Sequence, residues 1–215
     1  MAMMDVTPEA SQAVQYNVHS SLHDFGVPYK TYLSNIPEDP TKVTYHWIIV
    51  GAVVFDSQDR ILLIQRSAKE FLPNLWEIPG GGCEVEDKSI IHTVVRELQE
   101  ETGLQAKSVG SRIGDGYHFP VGGGNIACKY NFMVEVADQM GEDGKVKIKL
   151  DPNEHQDHVW ATEEQVKAGK VGGIELKFTS LEQEKVVLEA FESRRKQESQ
   201  VDIADEPPMS SLQPK

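Results

Sequence analysis

Apolar and polar residues change period several times along the chain, and the changes mark the elements. Trp47 to Phe55 is a nearly unbroken apolar run, with Ile48, Ile49, Val50, Val53 and Val54 inside it. Such a run predicts a strand covered on both faces. Asp56-Ser57-Gln58-Asp59 reads as a turn into a second strand, Ile61–Ile64, so the pair predicts a hairpin. Trp76-Glu77-Ile78 reads as a short strand ending at Pro79. From Ser89 to Thr102 the period becomes helical, with Ile90, Ile91, Val94, Val95 and Leu98 on one stripe. Gly103 then Leu104 has the form of a Schellman ending. Strands follow at Val109–Ile113, Ile126–Val136, Val146–Leu150 and His158–Ala161. Thr162-Glu163-Glu164-Gln165 and Thr179-Ser180-Leu181-Glu182 both open helices in the manner of a capping box. The second of these helices places Leu181, Leu188 and Phe191 on one side and Arg194, Arg195 and Lys196 in its last turn.

The flanks are weaker. Residues 1–20 read as a mobile arm or a marginal helix, and 21–42, with Pro28, Pro37 and Pro40, as an extended or turning lead-in. Residues 197–215 are polar and proline-bearing, which predicts disorder. The division expected is therefore an arm at 1–43, one α+β domain at 44–196 and a tail at 197–215.

Charge narrows the function. Lys plus Arg is 21 against 34 Asp plus Glu, a formal net charge of −13. That field repels phosphate backbones, so neither nucleic acid nor an anionic membrane is an expected partner. A small phosphate ligand stays possible, because a metal ion inverts the local sign. No run approaches the ~18 apolar residues of a membrane span, and Met1-Ala2-Met3-Met4-Asp5 does not start like a secretory leader. The two cysteines, Cys83 and Cys128, fit a reducing compartment and are too few for a structural zinc site. A cytoplasmic address is expected, with the nucleus as the alternative, and a monomer or homodimer.

The chemistry concentrates in Pro79-Gly80-Gly81-Gly82 and Arg96-Glu97-Leu98-Gln99-Glu100-Glu101-Thr102-Gly103-Leu104. At ~100° per residue, Glu100 lies about 60° to one side of Glu97 and Glu101 about 40° to the other. Three carboxylates thus share one helix face, near a C-terminus whose dipole disfavours anions. That arrangement calls for a cation, and oxygen ligands select Mg²⁺ or Mn²⁺ over zinc. Three glycines after a strand let a ligand approach the backbone. Alone the glutamates would read as a solvated face. With Arg96 and the glycine loop they read as a site for a metal-bridged diphosphate.

This constellation resembles the Nudix hydrolases. The second half of the family's box matches in full at Arg96–Leu104, and counting back places the box glycine on Gly82. The box glutamate then falls on Lys88, a departure. A one-residue insertion after Gly82 would let Asp87 or Glu86 take its place as the buttress of Arg96. Upstream, Leu63-Ile64-Gln65-Arg66 and Leu75 to Gly81 keep the family's spacing, and downstream Glu154-His155 and Val159-Trp160-Ala161 do the same, so about residues 44–192 are covered.

The resemblance implies an α/β/α sandwich around a mixed sheet and hydrolysis of a nucleoside diphosphate linked to another moiety, ADP-ribose-like or triphosphate-like. It implies Mg²⁺ or Mn²⁺ held by Glu97, Glu100, Glu101 and the Gly80 carbonyl. Arg96 would orient the carboxylates, and Arg66, Gly81 and Gly82 would meet the substrate. Glu97, Glu100 and Glu154 are the candidate general bases. Pro120 stands where ADP-ribose pyrophosphatases of the family carry a proline, and Trp47, Tyr117 and Phe119 are either base-stacking or core. His155 and His158 beside Asp157 lack a third ligand at useful spacing, so zinc is not expected there. Gly122-Gly123-Gly124 reads as a flexible loop. The alternative to an enzyme is a weak or inactive Nudix-fold module that binds nucleotides or regulates, supported by Lys88 and the insertion.

Overall fold

The computed structural model describes residues 15–37, 39, 41–137 and 146–204, with side chains as far as 197. Its elements in chain order are β1 (Asn17–Val18), a 3-10 helix (Ser20–Phe25), α1 (Tyr29–Asn35), β2 (Trp47–Val53), β3 (Ile61–Arg66) and β4 (Trp76–Glu77). There follow α2 (Ile90–Thr102), β5 (Ala106–Gly122), β6 (Asn125–Val136), β7 (His155–Ala161), α3 (Glu163–Lys167), β8 (Lys170–Val171), β9 (Ile174–Glu175) and α4 (Leu181–Ala204).

Two sheets carry the site. One has the order β1-β5-β6-β2, with β5 and β6 antiparallel and the outer pairs parallel. The other, β4-β3-β7, is antiparallel. Helix α2 packs on one side with Ile90, Ile91, Val94, Val95 and Leu98, and α4 on the other with Val186, Val187, Ala190 and Phe191. The mixed α+β sandwich expected from the resemblance is what forms. The shared strands explain their unbroken apolar runs: Ile48, Val50, Ala52, Leu62 and Ile64 face the first core, and Val53, Ile61 and Leu63 the second.

Several expectations change. The hairpin between β2 and β3 survives only at its turn, through the Phe55–Ile61 bridge, because β2 takes β6 and β3 takes β7 as ladder partners. Among the described residues Val146–Leu150 forms no ladder beyond a bridge at Val146; the Lys149 amide donates to the Thr102 carbonyl at 2.8 Å, and Val146, Ile148 and Leu150 pack on the first core from an otherwise irregular segment. Residues 21–42, expected as an extended or turning lead-in, carry the short helices Ser20–Phe25 and α1. Pro28 stands at the N-cap of α1, where its missing N–H loses nothing. Leu22, Phe25 and Tyr29 are buried in the first core. Leu181 is 80% exposed, because the buried stripe of α4 runs Gln183, Val186, Val187, Ala190, Phe191. That helix continues past Arg194–Lys196 to Ala204, beyond the boundary at 197. The arm expected at residues 1–14 and the tail expected at 205–215 lie outside the described residues.

Helix α2 is defined at both ends. The Ser89 hydroxyl accepts from the His92 amide at 3.0 Å, and Gly103 closes the helix at φ 71°.

Candidate active site

Beyond β4 the Pro79–Gly82 loop runs antiparallel beside β2. Val50 donates to the Gly81 carbonyl at 2.9 Å and Ala52 to the Pro79 carbonyl at 2.7 Å. Gly80 sits at φ +151°, where a Cβ would collide with the Val50 carbonyl. A Cβ on Gly81 would lie 2.6 Å from Glu97 Oε1. Glycine at these two positions lets a helix carboxylate lie directly on the loop. Among the described residues the Gly80 carbonyl accepts no hydrogen bond, whereas those of Pro79, Gly81 and Gly82 each accept one.

Arg96 organises the exposed half of the site. Its Nε and Nη2 donate to Asp87 Oδ1 and Oδ2 at 3.0 and 2.9 Å, a two-point grip. Nη1 reaches Glu100 at 2.8 Å and Glu97 at 3.0 Å, and Nη2 also reaches the Gly82 carbonyl at 3.2 Å. Asp87 accepts further bonds from the Glu84 amide, the Thr93 hydroxyl and His92. Burial opposes its charge, but Arg96 and these donors outweigh it and hold its carboxyl well below the usual range. Lys88 and Glu86 are exposed. Of the two stand-ins weighed from sequence, Asp87 is the one Arg96 grips.

The buried half is different. Glu101 is 4% exposed and its Oε2 accepts from the Gly80 amide at 2.6 Å. Burial, then the charges of Glu77, Glu97 and Glu154, push its carboxyl well above the ordinary value against that one hydrogen bond. Burial also pushes Glu97 up to about 7; Arg96 opposes this, and Glu100 and Glu154 add to it. Glu154, exposed just before β7, brings its carboxylate to Glu101 and His155, with ligand atoms of all three within 4.8 Å of one another. The structure therefore brings together Glu97, Glu100, Glu101, Glu154, Arg96, Gly80, Gly81 and Gly82.

Arg66 arrives at the same place with its fork occupied. Nη1 pairs with Glu77 at 2.7 Å, Nη2 with Glu70 at 3.1 Å, and Nε donates to the Phe71 carbonyl at 2.6 Å. It lines a cleft of about 870 Å³, together with Gly80–Gly82, Glu77, Tyr117, Phe119, Pro120 and Lys129. Trp47 does not line it and stacks on Tyr29 instead. Gly122–Gly124 form the β5–β6 turn, and Gly122 edges the cleft.

Two residues, Lys129 and Glu77, escape the sequence reading, and a third, His155, is weighed there and set aside. Lys129 is buried, its Nζ donates to Gln183 at 3.0 Å, and burial lowers its pKa. A lysine within the apolar run Ile126–Val136 was the available signal. Glu77, buried under Arg66 and His155, stood out only as a carboxylate inside a short strand. His155 meets Glu101 and Glu154 in space, without His158 or Asp157.

The family model for the NUDIX domain matches residues 46–181, more than half of the chain. The chain belongs to the Nudix family. It is 42% identical over 59 residues to the CTP pyrophosphohydrolase of Escherichia coli K12, covering 27% of this chain and 43% of that one. It is 36% identical over 61 residues to the 8-oxo-dGDP phosphatase NUDT18 of Danio rerio, covering 28% and 18%. The chain spans less than half of either relative. The solution structure of the E. coli ORF135 protein superposes with a TM-score of 0.50 at 26% identity, over 70% of this chain and 91% of that one. The NUDIX domain of Shewanella oneidensis NrtR, complexed with ADP ribose, gives 0.52 at 20% identity, over 77% and 97%, a likeness of fold.

Proposed function

We propose that the chain is a divalent-metal-dependent pyrophosphohydrolase acting on a nucleoside diphosphate or triphosphate derivative. The observation that carries this reading is the carboxylate cluster itself. Glu97 and Glu101 are held beside each other against a glycine loop, and both resist ionisation as long as only protein surrounds them. A site that crowds anions and leaves the Gly80 carbonyl free suits a hard cation. Glu97, Glu100, Glu101 and that carbonyl would hold Mg²⁺ or Mn²⁺. Bound there, the ion supplies charge for phosphoryl oxygens and acidity for a water.

The chain's own groups do the rest. Arg96 keeps Glu97 and Glu100 in one geometry, and Asp87 keeps Arg96. One of Glu97, Glu100 and Glu154 takes the proton of the attacking water as the new P–O bond forms and the bridging P–O bond breaks. Tyr117 and Phe119 offer faces to a base, and Lys129 lines the same cleft. Arg66 braces Glu77 and also lines the cleft, where it can meet the substrate. The relatives' names support the substrate class, being a CTP pyrophosphohydrolase, an 8-oxo-dGDP phosphatase and the 8-oxo-dGTP diphosphatase of Proteus vulgaris.

The inactive-module reading loses its ground, since Asp87 occupies the place that Lys88 leaves. A panel of CTP, 8-oxo-dGTP, 8-oxo-dGDP, ADP-ribose and dinucleoside polyphosphates, assayed for product release with Mg²⁺ and Mn²⁺, tests the proposal. Turnover of at least one nucleotide, abolished by chelation, is expected. Folded protein inactive on the whole panel would restore the binding module.

A further inference from the structure

We propose that His155 Nδ1, Glu101 Oε1 and the Glu154 carboxylate form a seat for a transition-series divalent cation, with the imidazole as a nitrogen ligand that the helix carboxylates lack. The inference rests on the metal-binding part of the reading above and not on hydrolysis.

His155 opens β7, opposite Arg66 on β3. The ladder slips between Gln65 and Arg66, so that Gln65 faces Asp157 and Arg66 faces His155. A bulge of this kind re-aims a side chain, and here His155 points inward, 1% exposed, while Gln156 stays outside. The ring is then held from one side. Nε2 lies 3.4 Å from Glu77 Oε1, and Glu77 is itself held by Arg66 at 2.7 Å. With Nε2–H directed at that carboxylate, the Nδ1 lone pair is bare.

Nδ1 has no hydrogen-bond partner although it is fully buried. It faces Glu101 Oε1 across 3.8 Å, too far for a hydrogen bond. That separation suits two ligands of one ion. At ~2.1 Å per bond, ligand atoms lie about 3.0 Å apart when adjacent and about 4.2 Å when opposed. Glu154 completes the group from the solvent side and gives an ion its way in. The two carboxylates balance a divalent charge, and the carboxylate-held imidazole is the usual outer support of a histidine ligand. Nitrogen donors favour Mn²⁺, Co²⁺ or Zn²⁺ over Mg²⁺. The assignment also makes Glu154 a ligand, which leaves the water's proton to Glu97 or Glu100.

The test uses the full chain with substoichiometric Mn²⁺ in excess Mg²⁺, so that Mg²⁺ fills oxygen-only positions. Electron spin-echo envelope modulation should show ¹⁴N coupling to Mn²⁺ in the wild type, replaced by the ¹⁵N pattern after labelling with ¹⁵N-histidine. His155→Gln should abolish it, and His92→Gln should not. In titrations, His155→Gln should weaken Mn²⁺ and Co²⁺ at least about tenfold while leaving Mg²⁺ within about threefold. Absence of nitrogen coupling in the wild type overturns the proposal, whether or not the variant folds. So does an equal loss of Mg²⁺ and Mn²⁺ affinity in the variant, which would make His155 a brace only. Nitrogen coupling in a protein that hydrolyses no nucleotide would defeat the functional reading and leave this one standing.

Discussion

Two arginines, Arg96 and Arg66, each steady carboxylates at the same site, by opposite means. Arg96 stands on the helix that carries Glu97, Glu100 and Glu101 and grips Asp87, Glu97 and Glu100 directly, with only Glu100 well exposed. Arg66 stands on a strand across the cleft and acts through Glu77 and His155 on the buried Glu101. The first network is local in sequence and centred on one guanidinium. The second joins residues tens of positions apart, inside the protein, where each lost partner leaves a buried charge poorly matched.

The contrast can be tested from its strongest consequence downward. Glu101→Gln should lower kcat at least ~10²-fold, and Glu100→Gln likewise, since each removes an anion from the proposed metal seat. Steady-state turnover with saturating Mg²⁺ checks both, and wild-type rates in either would sink the assignment. Asp87→Ala should cost about 3 kcal/mol of stability and 10- to 10²-fold in activity, because it strands the Arg96 guanidinium and loosens the ligands it aligns. Denaturant melts beside rate measurements read both effects.

Arg66→Lys should lower kcat about tenfold with KM within about twofold, since lysine cannot reproduce the fork that holds Glu77. A rise in KM at constant kcat would instead make Arg66 a phosphate contact.

Stability of the metal-free protein should vary with pH in a defined window. Glu97 holds its proton more tightly folded, at about 7, than its ordinary 4.5. The folded state therefore has its full advantage below about 4.5 and loses it as pH rises through 7. The melting temperature in chelator should fall by several degrees across that range, and Glu97→Gln should make the fall shallower, the raised Glu101 supplying the remainder. Asp87 does not oppose this, because its lowered pKa moves its own effect below pH 4. The smallest change is expected for Lys88→Ala, within about 0.5 kcal/mol and twofold in rate. A loss matching that of Asp87→Ala would reverse the reading of the insertion.

The same contrast explains what could be read before any fold was known. Helix α2 was legible because its stripe, its Ser89 cap and its Gly103 end are all local. The Arg96 cluster was legible for the same reason, and the insertion left only Asp87 or Glu86 to choose between. His155 needed the slipped register of β3 and β7 to meet Glu101, and no spacing along the chain encodes that. Strand β5 outran its expected end at Ile113 because register shifts absorb the glycines that interrupt its alternation. Three prolines disguised the N-terminal helices, one of them by standing where a helix begins.

Those helices bear on how the protein is handled. Phe25 meets Tyr130 and Phe132 edge-on and stacks on Tyr32, and Arg112 lies over its ring. Leu22 and Tyr29 are buried beside it. A fragment cut at residue 46, where the family match begins, would bare the aromatic floor on which these rings sit. At about 1.5–3 kcal/mol for each large side chain withdrawn, it would be a sticky, self-associating remnant of the protein. Trimming should begin no later than Tyr16, whose ring also packs on that core.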